Sequence, residues 1–189
     1  MTIGLYFGSF NPIHTGHLII AKHFINNTYL KQVWLIVSPQ NPLKTSKSLL
    51  NEYHRLHLVQ TAIEGENNLK ASSVEFNLPK PSYTIDTLMY LEEKYTEHKF
   101  VIIMGSDSIT NITKWKNYEL LLKNYDIYVY PRPSFDSGKI NLERVKIINA
   151  PSLDISSTVI RKLIQEKKSI RYLVPDSVKE EIEKNNYYR

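Results

Sequence analysis

The chain has 189 residues, 24 Lys and Arg against 19 Asp and Glu, a formal net charge of +5 and no cysteine. Such a length suits one domain with a sizeable core, and the missing cysteine excludes disulfides and thiolate metal sites, in keeping with a reducing cytoplasm. The basic residues are scattered rather than drawn into a stripe, so no nucleic-acid partner is expected; no apolar run of about eighteen residues and no basic leader points to a membrane or to export.

Ile3, Leu5, Tyr6 and Phe7 form a short apolar run that reads as a first strand. It leads into Gly8-Ser9-Phe10-Asn11-Pro12-Ile13-His14-Thr15-Gly16-His17 and then into helical spacing (Leu18, Ile19, Ala21, Phe24, Ile25) over about 16–27. Residues 33–37 read as a second strand, stopped by Pro39. A polar loop over 40–48 precedes a helix with Leu50, Leu56, Leu58, Val59, Ala62 and Ile63 at apolar positions. Residues 70–76 look extended. Ser82 is a natural N-cap for the next helix, with Leu88, Leu91 and Tyr95 turned inward. Residues 100–104 are a continuous apolar run ending at Gly105, the mark of a buried parallel strand. A helix around 118–122, strands over 127–130 and 145–149, and helices over about 156–165 and 176–184 complete the chain. This alternation predicts an α/β fold with a doubly wound parallel sheet, one domain over 1–189 with the C-terminal helices (about 156–189) packed on it. Ligands in such folds bind beyond the carboxyl ends of the strands.

Two segments that follow strands carry chemistry. The turn 8–17 gathers two glycines, two histidines and a serine where free N–H groups and the positive helix end favour a phosphate. Taken alone, it is also compatible with a tight turn whose histidines cap or pack the helix. A zinc site on His14 and His17 would want a third ligand, and no acidic or sulfur partner lies nearby in sequence. The second segment is Ile155-Ser156-Ser157-Thr158-Val159-Ile160-Arg161. It is a well-capped helix start on one reading. On the other, its hydroxyls, N–H groups and an arginine one turn along make a polyphosphate clamp.

Together the two segments resemble the nucleotidyltransferase superfamily with an H-x-G-H signature. Pro81-Ser82-Tyr83-Thr84-Ile85-Asp86-Thr87-Leu88, Gly105-Ser106-Asp107 and Thr113-Lys114-Trp115-Lys116-Asn117-Tyr118 further resemble bacterial nicotinate-nucleotide adenylyltransferases, and the likeness runs to Pro175-Asp176-Ser177-Val178. The resemblance implies a Rossmann-like fold and adenylyl transfer from ATP to nicotinate mononucleotide, with Mg2+ carried in on ATP. It places Gly8, Ser9, Phe10, His14, Gly16 and His17 around ATP, with both histidines and Arg161 catalytic. Ser157, Thr158 and Arg161 would hold the departing pyrophosphate, and Arg132 would edge the adenine. On the acceptor it implies Lys44 at the phosphate, Trp115 stacked on the pyridine, and Gly105 and Asp107 near the sugars. Tyr83 would join that side, and backbone N–H groups near Thr84 and Lys116 would receive the carboxylate.

These roles suit the reaction. The acceptor phosphate already carries the nucleophilic oxygen, so the enzyme must align two anions and neutralise developing charge rather than supply a strong base. N–H donors facing a pyridine carboxylate would reject the amide, whose NH2 has no acceptor there. Leu43, Ser134 and Lys116 depart from the family's usual histidine, glycine and variable position. A phosphopantetheine or nicotinamide mononucleotide acceptor is the sister alternative, and a non-catalytic nucleotide sensor the alternative of another class. The 44–48 lysine segment imitates an aminoacyl-tRNA synthetase loop, but it follows the second strand instead of the last. The sequence leaves a single chain or a homo-oligomer open.

Overall fold

The computed structural model describes residues 1–40, 48–132 and 142–189. Six strands form one all-parallel sheet: β1 (Thr2–Gly8), β2 (Gln32–Val37), β3 (Leu69–Ser72), β4 (Lys99–Gly105), β5 (Asp126–Tyr130) and β6 (Val145–Ile147). Their order is β3-β2-β1-β4-β5-β6. Helices α1 (Thr15–Asn27), α2 (Glu52–Ala62), α3 (Thr84–Lys94), α4 (Ser106–Thr110) and α5 (Tyr118–Asn124) join successive strands, and α6 (Ser157–Gln165) and α7 (Asp176–Lys184) follow β6.

Alternate strand residues bury two faces. Tyr6, Leu35, Val101, Ile103, Tyr128 and Tyr130 pack with Phe24 of α1, Leu58 of α2, Ile160 of α6 and Val178 and Ile182 of α7. Ile3, Leu5, Ile36, Ile102, Met104 and Val129 pack with Leu88 and Leu91 of α3 and Leu121 of α5. The period of two along each strand thus sorts the core into layers above and below the sheet. The sheet runs outward in both directions from β1 and β4, so their carboxyl ends flank the crevice where the strand order reverses.

Three local expectations are corrected. The extended stretch 70–76 is strand only to Ser72, after which Val74–Asn77 winds into a 3-10 turn. The strand expected over 145–149 stops at Ile147. Tyr83, not Ser82, occupies the N-cap of α3, because the Ser82 hydroxyl is engaged by a buried carboxylate described below. No helix among the described residues is long and apolar enough to cross a membrane.

Candidate active site

β1 ends at Gly8, and the chain turns through Phe10, whose backbone takes a left-handed φ of 43°. The Phe10 ring is buried beneath the turn; a Cβ on Gly8 would stand 2.9 Å from it, so glycine is the residue that lets strand and ring meet. Phe10 supports His17 edge-on, with ring centroids 5.0 Å apart. His14 is the N-cap of α1 and His17 lies in its first turn, and the two imidazoles stack at 3.6 Å with 23° between planes. The His14 backbone N–H donates to His17 Nδ1 (3.3 Å), which leaves the proton of the neutral ring on Nε2.

Burial holds His14 down to about 4, assisted by the positive Arg132. His17 is also held well below its ordinary value, by burial first and then by His14 and Arg132. Both rings are therefore neutral N–H donors near neutral pH. Gly16 permits the stack: a Cβ there would approach His14 Nδ1 to 3.1 Å.

α6 docks its amino end onto this turn. Ser156 caps the helix through Val159 N–H (3.3 Å), while Ser157 Oγ donates to the Pro12 carbonyl (2.9 Å). Arg161 donates to the Asn11 carbonyl (2.8 Å) and to Thr158 Oγ1 (3.3 Å), bringing the two predicted segments together. Opposite them, Gly105 ends β4 and Asp107 lies in the short α4, which the sequence had not defined as an element. Arg132, just past β5, pairs with Asp107 (Nε to Oδ1, 3.2 Å) and donates to the Tyr130 hydroxyl (3.4 Å). Tyr130 in turn hydrogen-bonds Tyr6 (3.0 Å) beneath the histidines.

The other end of the cleft is built by α3 and the segment before α5. Tyr83 and Thr84 open α3, and Trp115 and Lys116 face the same space. Lys116 Nζ bonds both carboxylate oxygens of Asp86 (3.0 and 2.8 Å) and lies 4.9 Å over the Tyr83 ring, strapping the two elements together. Lys44, expected at the acceptor phosphate, lies outside the described residues, as do Leu43 and Ser134. All the other predicted site residues except Gly16 line one cleft of about 650 Å³, and Gly16 supports it from behind His14.

Two functional supports were missed by sequence reasoning. Arg55 of α2 is fully buried, yet among the described residues it donates only to backbone carbonyls: Leu50 (2.7 Å), Ser9, Ser38 (2.8 Å) and Pro39 (3.0 Å). Its signal was positional, an arginine three and four residues before Leu58 and Val59 and hence on their apolar face. Glu75, in the 3-10 turn, is 2% exposed and lines the cleft along with Ser82, Tyr83 and Thr84. Burial pushes its carboxyl above the ordinary range, partly offset by hydrogen bonds from Ser82, Ser38 and Thr87.

A parallel sheet with a glycine- and histidine-bearing turn after β1 and a serine- and arginine-bearing helix start after β6 is the plan of a nucleotidyltransferase. Residues 5–163 match the cytidylyltransferase-like family model, and the chain belongs to that family. Among its relatives, a probable nicotinate-nucleotide adenylyltransferase of Flavobacterium psychrophilum is 50% identical with both chains covered in full. One from Cytophaga hutchinsonii is 50% identical over 100% of this chain and 98% of the relative. The fold is also that of the Plasmodium falciparum nicotinic acid mononucleotide adenylyltransferase complexed with NaAD. That structure superposes with a TM-score of 0.82 at 24% identity, covering 99% of this chain and 97% of that one.

Proposed function

We infer that this chain is an adenylyltransferase that transfers AMP from ATP to nicotinate mononucleotide, giving nicotinate adenine dinucleotide and pyrophosphate in NAD biosynthesis. The observation that carries the reading is the single cleft in which the stacked His14–His17 pair lies between the Ser157/Arg161 segment and the Thr84/Trp115 end. One end suits a triphosphate, the other a flat ring bearing an anion.

In this reading ATP lies over the turn 8–17, with its β- and γ-phosphates against Ser157, Thr158 and Arg161 and its adenine toward Arg132. The mononucleotide places its ring against Trp115, its carboxylate on the N–H groups near Thr84 and Lys116, and its sugar near Gly105 and Asp107. A phosphate oxygen of the acceptor then attacks the α-phosphorus; the bond to the bridging oxygen breaks, and its electrons leave with pyrophosphate. No proton need be abstracted. The Nε2–H of His17 and the His14 ring hydrogen-bond the α-phosphate as charge moves onto it, and Arg161 neutralises the leaving group.

Such donors are set in place before the reaction and partly shielded from water, which is where they stabilise a transition state most. A divalent cation such as magnesium, carried in with ATP, would neutralise charge on the phosphates there, with few protein ligands required. The described residues hold no group of three His, Asp or Glu side chains arranged for a metal, and the stacked histidines do not converge on a common point. We place the reaction in the cytoplasm, where both substrates are dissolved, with the whole of 1–189 acting as one domain.

Pyrophosphate release is to be measured with ATP and each of nicotinate mononucleotide, nicotinamide mononucleotide and phosphopantetheine. Fast release with the first is expected. Release with phosphopantetheine alone would overturn the acceptor assignment.

A further inference from the structure

Ser82 directly precedes Tyr83, the N-cap of α3, and a serine hydroxyl there lies two and three residues ahead of the first helical N–H groups, the spacing at which serine side chains take them up. Here it is turned elsewhere: Ser82 Oγ donates to Glu75 Oε2 (2.8 Å), and Thr87 Oγ1, from the first turn of α3, donates to Glu75 Oε1 (2.9 Å). Ser38, just past the end of β2, also faces this carboxyl and favours its charged form. Among the described residues Glu75 forms no ion pair. A buried carboxylate without a cation is a costly fastener; an apolar side chain would join the same three elements with less desolvation.

What the carboxylate achieves is control of the hydroxyls. Tyr83, at the N-cap, supplies no side-chain acceptor, and no acceptor among the described residues meets the N–H groups of Thr84, Ile85 and Asp86. The helix start is left bare on the side where Tyr83 and Thr84 line the cleft.

We propose that Glu75 is a positioning residue for acceptor recognition: by holding the Ser82 hydroxyl, with Thr87 as a second donor that fixes the carboxylate, it keeps the first N–H groups of α3 uncapped and available to the acceptor's carboxylate. This rests on the reading of the acceptor as nicotinate mononucleotide. Glu75 thereby sets the preference for the acid over the amide without touching either. Open donors favour a carboxylate and oppose an amide NH2, whereas donors already satisfied by a serine favour neither.

The decisive variant is Glu75→Gln, which keeps the shape, removes the charge and frees Ser82 to turn onto the helix. Its KM for nicotinate mononucleotide should rise about tenfold, a loss typical of one charge-assisted contact, and its preference for the acid over nicotinamide mononucleotide should fall by a similar factor. KM for ATP and the melting temperature should change little. In Glu75→Gln/Ser82→Ala the competing hydroxyl is gone, and the acceptor KM should return toward wild type. An unchanged acceptor KM, equal losses toward ATP and acceptor, or no recovery in the double variant would overturn the proposal.

Should Glu75→Gln not fold, Thr87→Val decides the matter, since it removes one donor and leaves the charge. Ser82 stays held by the carboxylate in that variant, so an acceptor KM close to wild type supports the proposal, and a rise in acceptor KM overturns it. Wild-type protein inactive with both mononucleotides would refute the acceptor reading instead, a result distinct from any behaviour of the variants.

Discussion

The neutral, buried state of His14 has a measurable effect on stability. Its ordinary value of 6.5 falls to about 4 in the folded protein, while the unfolded chain keeps the ordinary value. Between these values the unfolded state binds the extra proton, so stability is full above pH 6.5 and is lost as the pH falls. Integrating this difference from pH 7 to pH 5 gives a loss of about 2 kcal/mol from His14 alone. His17, also held well below its ordinary value, acts in the same direction. Glu75 acts in the opposite one, because a carboxyl raised in the folded state gains relative stability as the pH falls toward it. The comparison that isolates His14 is therefore between wild type and His14→Gln, whose side chain does not titrate. Urea denaturation at pH 7 and pH 5 should show wild type losing about 2 kcal/mol more than the variant over that interval. Equal losses would refute the claim that this histidine is desolvated and neutral in the fold.

Gly16→Ala would bring a methyl within 3.1 Å of His14 Nδ1 and 3.2 Å of Cε1, opening the histidine stack. Steady-state kinetics should show kcat reduced by about tenfold with ATP KM little altered, because misplacement by a few tenths of an ångström acts on the transition state; kcat within twofold of wild type would dismiss the stack as a catalytic arrangement. Among the described residues, the buried hydroxyl of Tyr188 has no hydrogen-bond partner. Tyr188→Phe should leave the unfolding free energy equal or higher in urea titrations, since an unsatisfied polar group is removed.

Most of the fold was legible because it is written in local signals. The apolar runs of β1, β2 and β4 are buried on both faces, so nothing polar interrupts them. The two phosphate segments were legible because turn glycines, capping serines and helix starts are near neighbours in sequence. Residues acting through tertiary partners were not. Ser82 has the sequence signature of an N-cap, and only the fold brings Glu75, seven residues away, close enough to take its hydroxyl. Arg55 reads as an ordinary helical cation until the ends of β1 and β2 are placed over it. Phe10, read as an ATP neighbour from its motif, serves the site from beneath, with its ring among the core residues.

Those tertiary partners explain how a short turn becomes an anion site at all. A peptide group that points its N–H outward must point its carbonyl inward, and inward carbonyls need donors. The turn receives them from separate elements: Arg55 of α2 on the Ser9 carbonyl, Arg161 of α6 on Asn11, and Ser157 on Pro12. The Asn11 side chain adds a further tie, donating to the Ser48 carbonyl (3.0 Å) and accepting from Leu50 N–H (3.1 Å). Two of the three carbonyl donors are arginines, so the groups that orient the peptide planes also raise the local positive potential. Arg161 has further N–H donors beyond the two it commits here, and these are the ones the proposed function assigns to phosphate. The orientation is fixed during folding, so no reorganisation is needed when the triphosphate arrives. Under the proposed function, a histidine turn lacking these inward bonds would have the same motif and a much weaker grip on the α-phosphate.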